Sequence, residues 1–200
     1  MIKIGITGSI GMGKTTVSNM FRFLKIPVFD SDQQVRDLLD NDYDIIEKIS
    51  EIWPDTVFLH KKQRTINKTI LGDKIFKSEG DRKQLERLIH PIVKIERDNF
   101  IQNSKSFSLV GLDIPLLYET GTNKDCDYVF LVNTSKRNQK NRVLKRPNMT
   151  EKKFELISKS QWRFEKKVKE RPFIITTSFG KTITFLIVLF YLLIIKLKGK

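Results

Sequence analysis

The stretch Gly8-Ser9-Ile10-Gly11-Met12-Gly13-Lys14-Thr15 has the residue types and spacing to do chemistry most directly. Gly8 stands five residues before Gly13-Lys14-Thr15, the full spacing of a phosphate-binding loop. Its glycines free the backbone to turn N–H groups inward around phosphate oxygens. Lys14 would reach the β- and γ-phosphates of a nucleotide, and the Thr15 hydroxyl would ligate Mg²⁺. A helix starting here aims the positive end of its dipole at the same anion. The flanks agree with that use. Ile2-Lys3-Ile4-Gly5-Ile6-Thr7 is a β-branched run of strand character, and Val17, Met20, Phe21 and Leu24 share one helical face. A glycine-rich turn with an incidental lysine would not need this strand–loop–helix order.

Further candidates follow downstream. Asp30 and Asp32 close the short strand Pro27-Val28-Phe29, on the sheet edge where ligands of α/β folds collect. A carboxylate there can accept the proton of an attacking hydroxyl. Equally, Ser31 or Asp32 can cap the helix carrying Val35, Leu38 and Leu39, and spacing does not choose between the two. Asp113 ends an apolar strand, as a Mg²⁺-binding carboxylate beside a phosphate loop would. Arg142 and Arg146 are four apart and share a helix face. They suit a basic lid over a transferring phosphoryl group, or simply a solvated basic face. His90, between Ile89 and Pro91, reads as a structural histidine.

The loop implies a nucleotide but no particular reaction. A guanine-reading Asn-Lys-x-Asp is missing, since Asn123-Lys124-Asp125 is followed by Cys126. Two hundred residues exclude a large motor ATPase, which leaves a small metabolite kinase. Cys126 is the only cysteine, so no internal disulfide framework exists and a reducing, cytoplasmic setting is expected. Only His60 and His90 could join it in a metal site, and their spacing does not suit one. The net charge of +14 would attract polyanions, but the basic residues are spread along the chain. With no RNA-recognition or basic-zipper pattern, nucleic acid is not an expected partner. The amino terminus opens into a strand without a cleavage-site pattern, so no secretory leader is expected.

The elements that must position these residues alternate. Apolar runs at Ser108–Asp113, Tyr128–Val132 and Phe173–Ile175 read as buried strands. From about Tyr43 to Gln102 the pattern is helical, with breaks at Trp53-Pro54, Gly72, Glu79-Gly80 and His90-Pro91 and one possible strand at Thr56–Leu59. Residues 135–169 are helical and very basic, interrupted at Pro147. The expected fold is α/β, a mostly parallel sheet with helices on both faces.

With these residues in hand, the chain resembles dephospho-CoA kinase, a P-loop kinase family. The likeness runs from Met1 to about Ile175. It is carried by Ile6–Thr15, Ile26–Asp32, Leu71-Gly72 with Ile75-Phe76, Leu88–Pro91, Asp113–Glu119, and Arg142–Arg146 with Met149-Thr150. The resemblance implies a nucleotide-kinase-like fold with a helical acceptor-binding insertion over residues 33–105 and a lid over 135–165. It implies transfer of the ATP γ-phosphate to the ribose 3′-hydroxyl of dephospho-CoA. Asp32 then becomes the catalytic carboxylate, together with Lys14. Gly8, Ser9, Gly11, Met12, Gly13, Lys14, Thr15, Thr16, Arg142 and Arg146 fall to ATP. Asp30, Asp32, Arg36, His90, Pro91 and Leu116 fall to the acceptor, and Thr15 and Asp113 to Mg²⁺. Departures occur at Lys68, where the family usually has arginine, at Arg171-Pro172, which replaces Ala-Asp, and at Thr176. Two other readings keep the loop: a nucleoside or nucleoside-monophosphate kinase, and an ATP-binding regulatory protein without catalysis.

The final segment, 181–200, stands apart. Thr182–Ile195 is apolar all round and flanked by Lys181, Lys196, Lys198 and Lys200. Fourteen helical residues span about 21 Å, short of a hydrocarbon core of roughly 30 Å. The expectation is therefore a terminal helix or strand packed beside the first strand, without stable membrane insertion.

Overall fold

Ile2–Thr7 forms β1, and its last four residues are buried, as suits a strand apolar on both faces. In this computed structural model, which describes residues 1–60, 63–147 and 149–198, the chain continues with α1 (Lys14–Phe23) and β2 (Val28–Asp30). Then come α2 (Ser31–Asn41), α3 (Tyr43–Ile52), β3 (Val57–His60), β4 (Gln63–Ile66), α4 (Lys68–Lys77) and α5 (Glu79–Asn103). The remainder is β5 (Leu109–Asp113), β6 (Tyr128–Asn133), α6 (Lys136–Leu144), α7 (Glu151–Ser160), α8 (Phe164–Val168), β7 (Phe173–Thr176) and α9 (Gly180–Lys198). These elements fall into two units, Met1–Asp30 with Asn103–Lys200, and Ser31–Gln102.

The first unit is built on a parallel sheet of order β2-β5-β1-β6-β7. Parallel strands need crossovers, which helices supply except between β5 and β6, where turns and one short 3-10 stretch at Thr122–Asp125 make the link. Its core joins Ile4 and Ile6 of β1 to Val17 and Phe21 of α1 and to Phe130 of β6. The rings of Phe21 and Phe130 meet edge to face at 5.6 Å. This order puts β5 between β1 and β2, so Asp113 lies beside the end of β1 and Asp30 one strand further on.

The second unit has its own core, centred on Leu38, Ile45, Ile49, Trp53, Leu71, Leu85 and Ile89. Asp42 caps α3 by accepting the Ile45 N–H, and the Trp53 indole N–H donates to Asp81 at 3.0 Å. Three local expectations are corrected here. Residues Gln63–Ile66 form a strand, antiparallel to β3, that the sequence hid because only Ile66 is apolar and buried. Helix α4 runs through Gly72, at a cost of about 1 kcal/mol that neighbouring packing offsets. Helix α5 likewise carries Pro91 inside it, stabilised by Leu85 and Ile89 in the core on one side of the proline.

The C-terminal segment departs most from expectation. It forms nineteen residues of helix, about 28 Å at 1.5 Å per residue. By length and composition α9 is therefore sufficient to cross a bilayer, and one of its faces packs on the first unit. Thr184, Val188 and Ile195 are buried, and Phe185, Ile187, Tyr191 and Leu192 pack against the first core. The principal neighbours of α9 are α1 and the edge strand β7, not β1. Tyr191 lies 4.7 Å from Phe173 of β7, ring to ring.

Candidate active site

The phosphate loop is tied from behind at two of its carbonyls. Thr177, just beyond β7, donates its hydroxyl to the Met12 carbonyl at 2.7 Å. The Arg142 guanidinium donates to the Thr177 hydroxyl at 2.8 Å and to the Thr177 carbonyl at 2.9 Å. Ile10 is gripped on both sides of its peptide group. Gln139 donates to its carbonyl at 2.8 Å and Gln161 accepts its N–H at 3.0 Å. Gly11 and Gly13 sit at φ 78° and 96°, where an L side chain is strained. A Cβ on Gly13 would also lie 2.9 Å from the Thr177 hydroxyl. The loop's shape is thus set before any phosphate arrives.

The charges beside the loop are coupled. Lys14, from the first residue of α1, forms an ion pair with Asp113 at the end of β5, and the Ser18 hydroxyl donates to the other oxygen of the same carboxylate. Asp113 is almost wholly buried. That burial pushes its carboxyl above the ordinary value, opposed by the Lys14 ammonium and the Ser18 hydroxyl and assisted by the nearby Asp30 carboxylate. Asp30 pairs in register with Asp113 across β2 and β5, and Arg22 lies 3.6 Å from its carboxylate. Two neighbouring acids at the sheet's carboxyl edge make a place that favours cations.

The other expected residues are distributed as follows. Gly8 is buried, and the Ser9 carbonyl accepts the Met12 N–H at 3.1 Å. Thr15 is exposed and Thr16 half-buried in the first turn of α1. Leu116 lies half-buried in the turn after β5, its carbonyl accepting the Thr120 hydroxyl at 2.9 Å. Arg146 is exposed beyond α6 and has no side-chain bond among the described residues. These residues belong to the first unit, with Lys14, Asp113 and Arg142. The second unit holds Asp32, exposed in the first turn of α2 without a side-chain partner among the described residues. It also holds Arg36, which donates to Gln33 at 3.0 Å, and the exposed pair His90-Pro91 on α5. Lys68 pairs with Asp40 at 2.7 Å.

Several residues at the site escaped the sequence reading. Ser18 could have been found, since it lies four residues after Lys14 on the same helix face. Gln139 likewise shares a face with Arg142. Thr177 and Gln161 gave no signal. Glu119 closes a quoted motif, but its partner comes from far along the chain: Lys167, fully buried, lies 3.0 Å away. Glu119 also accepts the Trp162 N–H at 2.6 Å. The Trp162 ring stacks on Tyr118 at 6.1 Å, with the Lys166 ammonium 3.3 Å above its centre. Burial pushes the Tyr118 hydroxyl up to about 12. This cluster fixes the junction between α7 and α8, next to Gln161.

Comparison with known proteins settles the kinship of this arrangement. Residues 2–181 match the family model described as dephospho-CoA kinase. The chain belongs to the dephospho-CoA kinase family. A dephospho-CoA kinase of Zymomonas mobilis is 37% identical over 175 residues, which cover 88% of this chain and 87% of that one. One from Agrobacterium fabrum is 36% identical, covering 90% and 91%. A crystal structure from Thermus thermophilus superposes with a TM-score of 0.81 at 25% identity, covering 96% of each chain. The dephospho-CoA kinase of Campylobacter jejuni gives 0.70 at 23% identity over 99% and 98%, which bears on the fold alone. A shikimate kinase from Acinetobacter baumannii, at 0.51 and 18% identity, covers 100% and 95% and shares only the P-loop kinase fold.

Proposed function

We propose that this chain transfers the γ-phosphoryl group of ATP to the ribose 3′-hydroxyl of dephospho-CoA, giving coenzyme A and ADP, in the cytoplasm. The observation that carries the reading is the preformed loop with Lys14 held beside the buried Asp113, in a chain of this family. Lys14 exchanges Asp113 for the β- and γ-phosphates when nucleotide binds. The loop N–H groups and the start of α1 hold the remaining phosphate charge. Arg142 serves ATP by holding the loop through Thr177, and Arg146 faces the charge that develops on the transferring group. Asp32, exposed and without a side-chain partner among the described residues, accepts the proton of the acceptor hydroxyl. Arg36, His90-Pro91 and Leu116 serve acceptor binding, and Asp30 helps orient it.

The residues present fit a Mg²⁺ ion. Once Lys14 turns to phosphate, Asp113 is left as a buried carboxylate in need of a counter-charge, with Asp30 beside it. Mg²⁺ is commonly held by one or two carboxylates together with substrate phosphates. Asp113 and the Thr15 hydroxyl would hold it here, and it would supply charge neutralisation on the phosphates.

A coupled ADP-release assay with dephospho-CoA, adenosine and AMP as rival acceptors tests the reading. Release should follow dephospho-CoA alone, with a product heavier by one phosphoryl group. Comparable release with adenosine or AMP would assign the chain to a nucleoside or nucleotide kinase. Nucleotide binding without release on any acceptor would make it a non-catalytic binder.

A further inference from the structure

Ile183, Leu186, Phe190, Leu193 and Leu197 of α9 are between 46% and 65% exposed. They recur at steps of three and four residues, so they form one stripe along the helix. The opposite face, with Thr184, Val188 and Ile195, is committed to the core of the first unit. The helix therefore cannot stand across a bilayer without opening that core. To one side of this stripe, Phe23 of α1 is 75% exposed, its ring 5.8 Å from that of Phe185. A groove of about 420 Å³ between α1 and α9 is lined by Met20, Phe23 and Phe185, with Lys181 among its walls.

Charge decides what covers this face. Helix α9 contains no acidic residue, and its only charges are Lys181 at one end and Lys196 and Lys198 at the other. A second copy of α9 laid on the first would set lysine against lysine at its ends, in parallel or antiparallel orientation. No charged pair along the seam would fix the register. An anionic bilayer suits both features, because apolar side chains enter the acyl boundary while lysines reach the headgroups. The chain's net charge of +14 adds long-range attraction to such a surface.

We propose that the exposed face of α9 is a peripheral docking surface for an anionic lipid bilayer, with the helix lying parallel to the membrane plane. The protein then remains soluble by itself and binds reversibly.

Flotation of the full chain with vesicles of equimolar phosphatidylglycerol and phosphatidylcholine tests this. The chain should float with them, and far less with phosphatidylcholine alone. The double variant Phe190→Ser/Leu193→Ser should bind the mixed vesicles at least roughly tenfold more weakly, since two large apolar side chains no longer enter lipid. Its melting temperature and kinase activity should be retained, because neither residue is in the core or the site. Equal flotation of the double variant would overturn the proposal in favour of unspecific charge attraction. So would failure of the full chain to float, or a dimer by sedimentation equilibrium that the double variant dissolves. Resistance of the bound chain to alkaline carbonate extraction would overturn the parallel, peripheral placement.

Discussion

Around the phosphate loop, side chains from far along the sequence converge on the backbone. Thr177 and Arg142 fix Met12, Gln139 and Gln161 fix Ile10, and Ser18 and Lys14 share Asp113. The residues of the second unit proposed to meet the acceptor stand almost bare: among the described residues Asp32 has no side-chain partner, and Arg36 bonds only to Gln33 one helical turn away. The contrast matches what each half must hold. Phosphate charge is best met by dipoles fixed in advance, because reorganising them would cost energy at the moment of transfer. A hydroxyl acceptor needs a carboxylate that is accessible and not already occupied by a cation.

Breaking the fixed half should have the largest effect. Lys14→Ala is expected to lower turnover by roughly 10³-fold or more while leaving the fold intact, since Lys14 supports no apolar packing. Near-normal turnover of the purified variant would remove the loop from the chemistry. Asp32→Asn should cost roughly 10²- to 10⁴-fold in turnover, with ATP affinity little changed. If Asp30→Asn showed that loss and Asp32→Asn none, the proton acceptor would be Asp30.

The two arginines proposed to serve ATP, Arg142 and Arg146, sharpen the comparison further. Arg142 is bonded to the loop's support, so Arg142→Ala should weaken ATP binding and turnover together, each by at least about tenfold, the low end for one charged hydrogen bond. Arg146 has no such anchorage, and Arg146→Ala should reduce turnover while sparing ATP affinity. Identical kinetic profiles for the two variants would show that anchorage in the free protein does not matter.

The smallest effect is one of stability. Asp113 titrates above its ordinary value of 3.8 because it is buried, and Lys14 opposes that shift. An acid whose folded pKa is raised contributes stability that is complete below its unfolded pKa and lost as pH climbs through the folded one. Lys14→Met removes the opposing ammonium and raises Asp113 further. The melting-temperature gap between parent and variant should therefore widen as pH rises above about 4, the ordinary value of an aspartate. A gap that stays constant or narrows would mean that the ion pair is not what governs Asp113.

How much of this could be read from the sequence depended on how local the determinant was. The loop, the parallel strands and the place of Asp113 follow from contiguous patterns. Gln63–Ile66 was invisible because a strand with one buried residue has no periodicity to detect. Pro91 suggested a helix end, but tertiary packing of Leu85 and Ile89 overrode the local preference. Thr177 and Gln161 act through the loop backbone across more than a hundred residues of chain, and no spacing rule relates such partners. The apolar tail misled through length: the helix gains residues on either side of its apolar run, from Gly180 to Lys198.

The chain's two tryptophans fall one to each unit. Trp53 is buried in the second unit with its indole N–H on Asp81, and Trp162 is stacked on Tyr118 under the Lys166 ammonium. Their emission should therefore be separable. Trp53→Phe leaves a fluorophore whose neighbour, Gln161, holds the Ile10 N–H, so ATP titration should change its intensity as the loop takes up phosphate. Trp162→Phe leaves an emission that reports the integrity of the second unit's core. Denaturant melts of the two single-tryptophan proteins, recorded side by side, would then show whether the units unfold at one midpoint or at two.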